Sequence, residues 1–344
     1  MDRLRADTPL ETLRVPQDVT YNWEYDSTRA QLERLYAHAK RDQWDGAERL
    51  DWSHDVDPRS ELVPDASIGI WGTPLWDKLT KSEIEKLRHE SITWQLCQFL
   101  HGEQGALLAS AQIVDSVPWY EAKMYGATQV MDEARHVEVY RRFVQEKLEH
   151  DYPVNPNLKA LLDQILSDSR WDMKFLGMQI IVEGLALAAF GTIRDSANDP
   201  LLRNLTAAVM EDESRHVAYG VISLREFTKD LTEAERMERE DFVYEACVLM
   251  RDRILNHEVW EAMGMPVEEC VAVSMDSPFA KEYRRRLFKK IVPNVKSLGL
   301  LSDRQRARFA DLGILEYEGG TSSDIDQAIE EEKRRQAGIE RAAA

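Results

Sequence analysis

Apolar positions along this chain recur at three- and four-residue intervals over long stretches, and the two-residue alternation of half-buried strands is almost absent. That period predicts a helix near 27–43, then four long helices over about 81–116, 119–149, 170–196 and 200–228. Further helices are expected near 232–262 and 278–297. Pro118 separates the first long helix from the second, and Asn198-Asp199-Pro200 the third from the fourth, because proline cannot continue a helix. Asp151-Tyr-Pro-Val-Asn-Pro follows the second. Ser169, with Asp172 three residues on, reads as a cap for the third, leaving a short helix at 158–167 inside the crossover. Trp44, Trp52, Trp71 and Trp76 lie among Pro, Gly and Asp, so 44–80 reads as an irregular wrapping segment.

The fold class is therefore all-α. The chain divides into an N-terminal helix and wrapping segment (1–80), a four-helix core (81–230), additional C-terminal helices packed on it (231–317) and a charged tail (318–344), the last either a solvated helix or disordered.

Composition narrows the function classes. With 344 residues, 43% of them hydrophobic, the chain can fill one large helical core or two small ones. A formal net charge of -18 leaves no broad basic field for nucleic acid and disfavours anionic membrane surfaces. Cys97, Cys247 and Cys270 are scattered, which fits a reducing compartment better than a disulfide framework. The N-terminus lacks an apolar core of signal-peptide length, and the longest apolar stretch, 180–190, is interrupted by Glu183. No membrane span is expected, and the expected location is cytoplasmic.

The chemistry is carried by two similar segments, QVMDEARHVEVY at 129–140 and AVMEDESRHVAYG at 208–220. Each holds an Asp-Glu-x-Arg-His run, Asp132-Glu133-x-Arg135-His136 and Asp212-Glu213-x-Arg215-His216. Glu and His three apart share one helix face and can reach one metal ion. Bundle sites of this kind take one more Glu from each of two other helices. Glu103 and Glu183 sit in apolar helical surroundings, each 30 residues before the motif Glu that follows it. The midpoints of those intervals are the turns at Pro118 and at Asn198-Asp199-Pro200. Each antiparallel hairpin therefore brings its two Glu residues level, about 20 Å from the turn at roughly 1.5 Å per residue. Buried carboxylates need a cation, a partner or a proton. Four of them with two histidines imply divalent metal, and oxygen-rich ligation with imidazole suits iron or manganese.

The pattern over 103–216, about a third of the chain, resembles the ferritin-like di-iron carboxylate superfamily, for which the complete set is specific. The resemblance implies a ferritin-like four-helix bundle with a crossover between its second and third helices, holding two Fe ions, with Mn/Fe an alternative. It implies bridging or near-bridging roles for Glu133 and Glu213 and terminal ones for Glu103 and Glu183. It also implies that Asp132 orients His216 and Asp212 orients His136, with Arg135 and Arg215 paired to those acids. Length favours the oxygenase and oxidase branches, and the Asp-Glu-x-Arg-His form is similar to bacterial di-iron hydroxylases and N-oxygenases. The arylamine N-oxygenases carry a third histidine one turn before the last motif Glu, where this chain has Val209. The implied activity is O2-dependent hydroxylation, N-oxygenation, desaturation or cleavage of a small or apolar organic substrate. A ferredoxin- or reductase-type electron donor and a homodimer go with it. The alternatives are a ligand-binding oxidase without turnover and a ferroxidase.

Gly102, Gly105, Ala106 and Ala109 flank Glu103, and Gly184, Ala186, Ala188 and Ala189 follow Glu183; either set leaves a cavity or packs closely. Tyr140 is expected to pack rather than carry a radical, and the basic run from Arg284 to Lys290 to form a solvated face. His89, His101 and His257 are not expected to be ligands.

Overall fold

The computed structural model describes residues 11–323, and among them there is no strand. An extended arm leads into α1 (Ala30–Arg41), and two single turns, α2 (Gly46–Arg49) and α3 (Pro74–Asp77), punctuate the wrapping segment. The first long hairpin is α4 (Lys81–Ser116) and α5 (Tyr120–Lys147). A capping box starts it: the Thr80 hydroxyl accepts from the Glu83 N–H, and the Glu83 carboxylate accepts from the Thr80 N–H at 2.8 Å. The crossover contains α6 (Pro156–Ser167), whose N-cap Asn155 accepts from Asn157 and Leu158 N–H groups. The second hairpin returns through α9 (Pro200–Phe227), capped by Asp199 with Pro200 at its first position.

The third bundle helix departs from expectation. It runs as α7 (Trp171–Phe175), a seven-residue π-helix (Leu176–Val182) and α8 (Glu183–Ser196) instead of one α-helix over 170–196. Bonding from i to i+5 adds a residue to a turn without altering composition, so no periodicity reports it. Close packing accompanies it: a Cβ on Gly177 would lie 2.4 Å from Ile165 Cγ1 and 3.0 Å from the Phe242 ring. The expected cap at Ser169 is not used. Arg170 occupies the cap position without a side-chain bond, and Asp172 instead meets Arg239 at 2.9 Å. The span Trp171–Ser196 also has the length and hydropathy (1.7) to cross a membrane, against expectation, but 78% of that window is buried inside the bundle.

Lys174 lies in this helix with no exposed surface. Its ammonium donates to Gln112 Oε1 at 2.5 Å and to the Ile165 and Leu166 carbonyls, the free C-terminal acceptors of α6. Burial, only partly opposed by the Asp168 charge, pushes its pKa down to about 8. Folding therefore releases a proton between that value and the ordinary lysine range, so Lys174 lets stability rise with pH over that window. Relative to Lys174→Met, the wild type should gain roughly 2 kcal/mol between pH 8 and pH 10. Urea titrations at both pH values check this, and parallel curves for the two proteins would count against it.

Beyond the bundle come α10 (Glu233–Arg253), α11 (His257–Ala262), α12 (Val267–Asp276), α13 (Pro278–Leu287), α14 (Ile291–Ser297) and α15 (Asp303–Asp311). The helices expected over 232–262 and 278–297 are thus each broken in two. The first break occurs at Asn256, whose φ of 52° is a left-handed value that Asn tolerates better than most residues. One continuous apolar cluster joins these helices to the bundle, from Leu32 to Ile314. Of the expected solvated or disordered tail, 324–344 lies outside the described residues, and 318–323 is docked. Glu318 meets Arg306 at 2.9 Å and Lys296 at 3.2 Å, and the Ser323 N–H donates to Asn294 Oδ1 at 2.7 Å.

Candidate metal centre

The two hairpins bring Glu103, Glu133, His136, Glu183, Glu213 and His216 together in the bundle interior, every one of them 5% exposed or less. Their ligand atoms form two groups, one of Glu103, Glu133, His136 and Glu213, the other of Glu133, Glu183 and His216. Glu133 belongs to both. His136 Nδ1 lies 3.3 Å from Glu103, 3.3 Å from Glu133 and 3.2 Å from Glu213. His216 Nδ1 lies 3.1 Å from Glu133 and 3.5 Å from Glu213.

The opposite ring nitrogens face the acids crosswise. His136 Nε2 is 3.1 Å from Asp212 Oδ2, and His216 Nε2 is 3.3 Å from Asp132 Oδ2. A carboxylate can only accept, so each Nε2 carries a proton, which leaves Nδ1, the nitrogen turned to the glutamates, as the one able to ligate an ion. Arg135 donates to Asp132 at 2.5 Å and to Asp212 at 2.8 Å, and Arg215 donates to Asp212. Burial opposes ionisation of Asp212, but the His136 hydrogen bond and the two guanidinium charges outweigh it and hold its pKa far below the usual range.

The glutamates are less evenly served. Burial, then the neighbouring Glu213 charge, drives the Glu103 pKa well up. Burial does the same for Glu183, opposed by His216 and reinforced by Glu213 and Glu133. Burial also acts on Glu133, but the two histidine rings win and lower it. One oxygen of each of Glu133, Glu183 and Glu213, and His216 Nδ1, lack a hydrogen-bond partner although fully enclosed. With the histidines neutral, as ion-bound imidazoles would be, six carboxylates against two guanidinium groups leave four negative charges, the charge of two divalent cations. Orphaned acceptors and charge balance both fit such a pair of ions.

Several participants carry no signal in the sequence. Gln129, one turn before Glu133, donates to Glu133 at 3.0 Å and to Glu183 at 2.7 Å, and Gln179 of the π segment approaches Gln129 at 3.4 Å. Gln43 donates to Asp132 at 2.8 Å and accepts from Arg135 at 2.7 Å. Trp44 Nε1 donates to Asp212 at 2.9 Å, and the Arg135 guanidinium lies over its ring. The helix α1 and its exit thus close the acid–arginine network from outside the bundle.

A cavity opens on Glu103, Glu183 and Glu213, walled by Phe99, Gly102, Ala106, Val182, Ala186, Ala189 and Phe190. It offers about 50 Å³ to the centre of a water-sized sphere, several times the ~10–15 Å³ one water needs. The small residues divide between the two readings. A Cβ on Gly102 would meet nothing within 4 Å, whereas one on Gly105 would strike Leu162 at 2.4 Å and one on Gly184 would touch Ile291 at 3.4 Å.

Tyr140 stacks near Phe190 at 6.0 Å and meets the Phe99 ring edge-on at 5.8 Å. His89 and His101 contact the Leu148 and Tyr152 carbonyls at 2.7 Å and 2.9 Å, and His257 is exposed, so none joins the cluster. In the basic run Arg285 pairs with Glu316 and Arg286 with Glu282, on the surface.

A four-helix bundle enclosing this carboxylate–histidine set defines a ferritin-like di-iron oxidoreductase of the oxygenase and oxidase class. The chain belongs to the family of p-aminobenzoate N-oxygenase AurF, whose family model matches residues 26–299. An R2-like ligand-binding oxidase with aerobically reconstituted metal cofactor after photoconversion superimposes with a TM-score of 0.51. It is 17% identical, over 77% of this chain and 92% of that one. A mutant of such an oxidase with anaerobically reconstituted Mn/Fe cofactor gives a TM-score of 0.48 at 20% identity, over 77% of this chain and 92% of that one. At 17% identity the first of these likenesses speaks to fold alone. No curated relative matches the sequence significantly. Val209 is completely buried and adds no ligand atom, so the ligand-bearing side chains brought together are four carboxylates and two imidazoles.

Proposed function

We propose that Glu103, Glu133, His136, Glu183, Glu213 and His216 hold two iron ions and that the chain uses O2 to oxidise an organic molecule seated against Glu103, Glu183 and Glu213. The observation that carries this is the apolar cavity reaching those three carboxylates. Bound iron supplies the electrons and the open coordination positions for O2 reduction. The protein's part is positioning. Asp132 and Asp212 keep the Nε2–H groups and leave each Nδ1 free to ligate. Gln129 fixes one oxygen of Glu133 and one of Glu183. Phe99, Phe190 and Val182 keep water from the open side and hold an apolar substrate next to the carboxylates.

The test is a single exposure to O2 of protein loaded anaerobically with two equivalents of Fe(II). Iron oxidation should run at least about tenfold faster than for free Fe(II), an acceleration worth roughly 1.4 kcal/mol. Equal rates would remove the reading.

Turnover requires an electron donor of the ferredoxin or reductase type, since repeated cycles consume electrons that no side chain here supplies. We further infer a homodimer, supported by the exposed arm aromatics Tyr21, Trp23 and Tyr25, and a cytoplasmic location, supported by three free, buried cysteines.

A further inference from the structure

The two groups of ligand atoms in the bundle interior are unequal. The first draws on four side chains and the second on three, Glu133, Glu183 and His216. Gln129 stands against the poorer group. It lies one turn before Glu133 and is completely buried, with its Nε2 3.0 Å from Glu133 Oε1 and 2.7 Å from Glu183 Oε1. Glu133 Oε1 is also the oxygen that faces His216 Nδ1, at 3.1 Å. On an octahedral ion with bonds of about 2.1 Å, neighbouring ligand atoms lie about 3 Å apart. The Gln129 amide is thus at ligand spacing from two of the three side chains of the second group. The matching place in the second repeat, four residues before Glu213, is Val209, so only the first repeat puts a polar group there.

Without an ion, the amide N–H groups draw the two carboxylate oxygens together. Beside a cation, the amide oxygen is the end that suits the place. The two ends have nearly the same shape, so a half-turn about the last side-chain bond exchanges them without repacking. The displaced N–H groups then need an acceptor, and Gln179 supplies one. Its Nε2 donates to Gln129 Oε1 at 3.4 Å, while its own enclosed Oε1 has no hydrogen-bond partner among the described residues. Turning both amides together keeps the bond between them and reverses its direction. Gln179 fits here because α9 has Gly220 opposite it, where a Cβ would lie 2.6 Å from Gln179 Cβ.

Resting on the di-iron reading above, we infer that Gln129 is a seventh metal ligand, its Oε1 bound to the second ion beside Glu133, Glu183 and His216 and held in that orientation by Gln179. Charge favours an amide at this position. The carboxylates and guanidinium groups already balance two divalent ions, and an amide adds a donor atom without adding charge. Being neutral, it supplements the carboxylates and does not replace one.

The test follows anaerobic Fe(II) binding by calorimetry, with circular dichroism of the ion-free proteins showing that each variant folds. Wild type should take up two ions. Gln129→Leu should bind the first as wild type does and the second at least about tenfold more weakly. Gln129→Asn keeps an amide but falls one methylene short, so it should behave alike and serves where the Leu variant does not fold. Gln129→Glu should hold the second ion at least as tightly as wild type, because a carboxylate oxygen can ligate but cannot donate. A second ion as weak in Gln129→Glu as in Gln129→Leu overturns the proposal and leaves Gln129 a hydrogen-bond donor only. An undiminished second ion in a folded Gln129→Leu or Gln129→Asn overturns it as well. Wild type that fails to bind two ions overturns instead the di-iron reading on which the proposal rests.

Discussion

Glu133→Ala is expected to leave at most one ion bound per chain, where the wild type binds two. Glu133 is the side chain common to both groups of ligand atoms. Without it the second group is reduced to Glu183 and His216, too few to hold an ion against water. The first keeps Glu103, His136 and Glu213 but loses an oxygen 3.3 Å from His136 Nδ1. Glu183→Ala is the informative comparison, because it leaves the first group whole and should retain one tightly bound ion. Oxidation of Fe(II) by O2 in Glu133→Ala should fall back to the rate of free Fe(II), a loss of at least about tenfold. Elemental analysis after dialysis reads the first effect and stopped-flow absorbance the second. Two ions per chain in Glu133→Ala would refute the shared-ligand assignment.

Asp212→Ala should cost about 3–5 kcal/mol of stability, the usual consequence of removing one partner from a buried ionic network. Its carboxylate accepts from Trp44, Arg135, Arg215 and His136. Arg135 and Arg215 are 3% and 2% exposed, so water cannot replace what they lose. Arg135 retains Asp132 and Gln43, which is why the cost is set by one network member and not by collapse of the whole. His136 also loses the acceptor that keeps its proton on Nε2, so metal affinity should drop together with stability, by roughly 10–100-fold. Urea denaturation and iron titration of the same variant measure the two. A change below about 1 kcal/mol would mean that these contacts do not hold the bundle interior.

Much of the site was legible because its geometry is written in spacing. Glu103 and Glu133, like Glu183 and Glu213, straddle helix-breaking turns at equal distances, so linear intervals report height in the bundle. The acids before each motif Glu were legible only through resemblance. Gln43 and Trp44 were not legible at all. They meet Asp132 and Asp212 across 89 and 168 residues of chain, and nothing local distinguishes a glutamine at a helix exit. Helix existence followed from periodicity, while breaks set by one left-handed Asn or by altered hydrogen bonding left no mark on it.

The π-helical stretch before Glu183 makes the address of that carboxylate depend on a count of residues. A helix advances about 100° per residue, so losing one residue between 176 and 182 would turn everything on one side of the gap by that angle relative to the other. Composition, hydropathy and burial of the segment would hardly change, yet Gly184 would be carried toward the place of Glu183. Along this stretch, substitutions that preserve bulk are the tolerable kind of variation. Changes of length are the intolerable kind, and a chain one residue shorter there would keep its fold and lose its ligand.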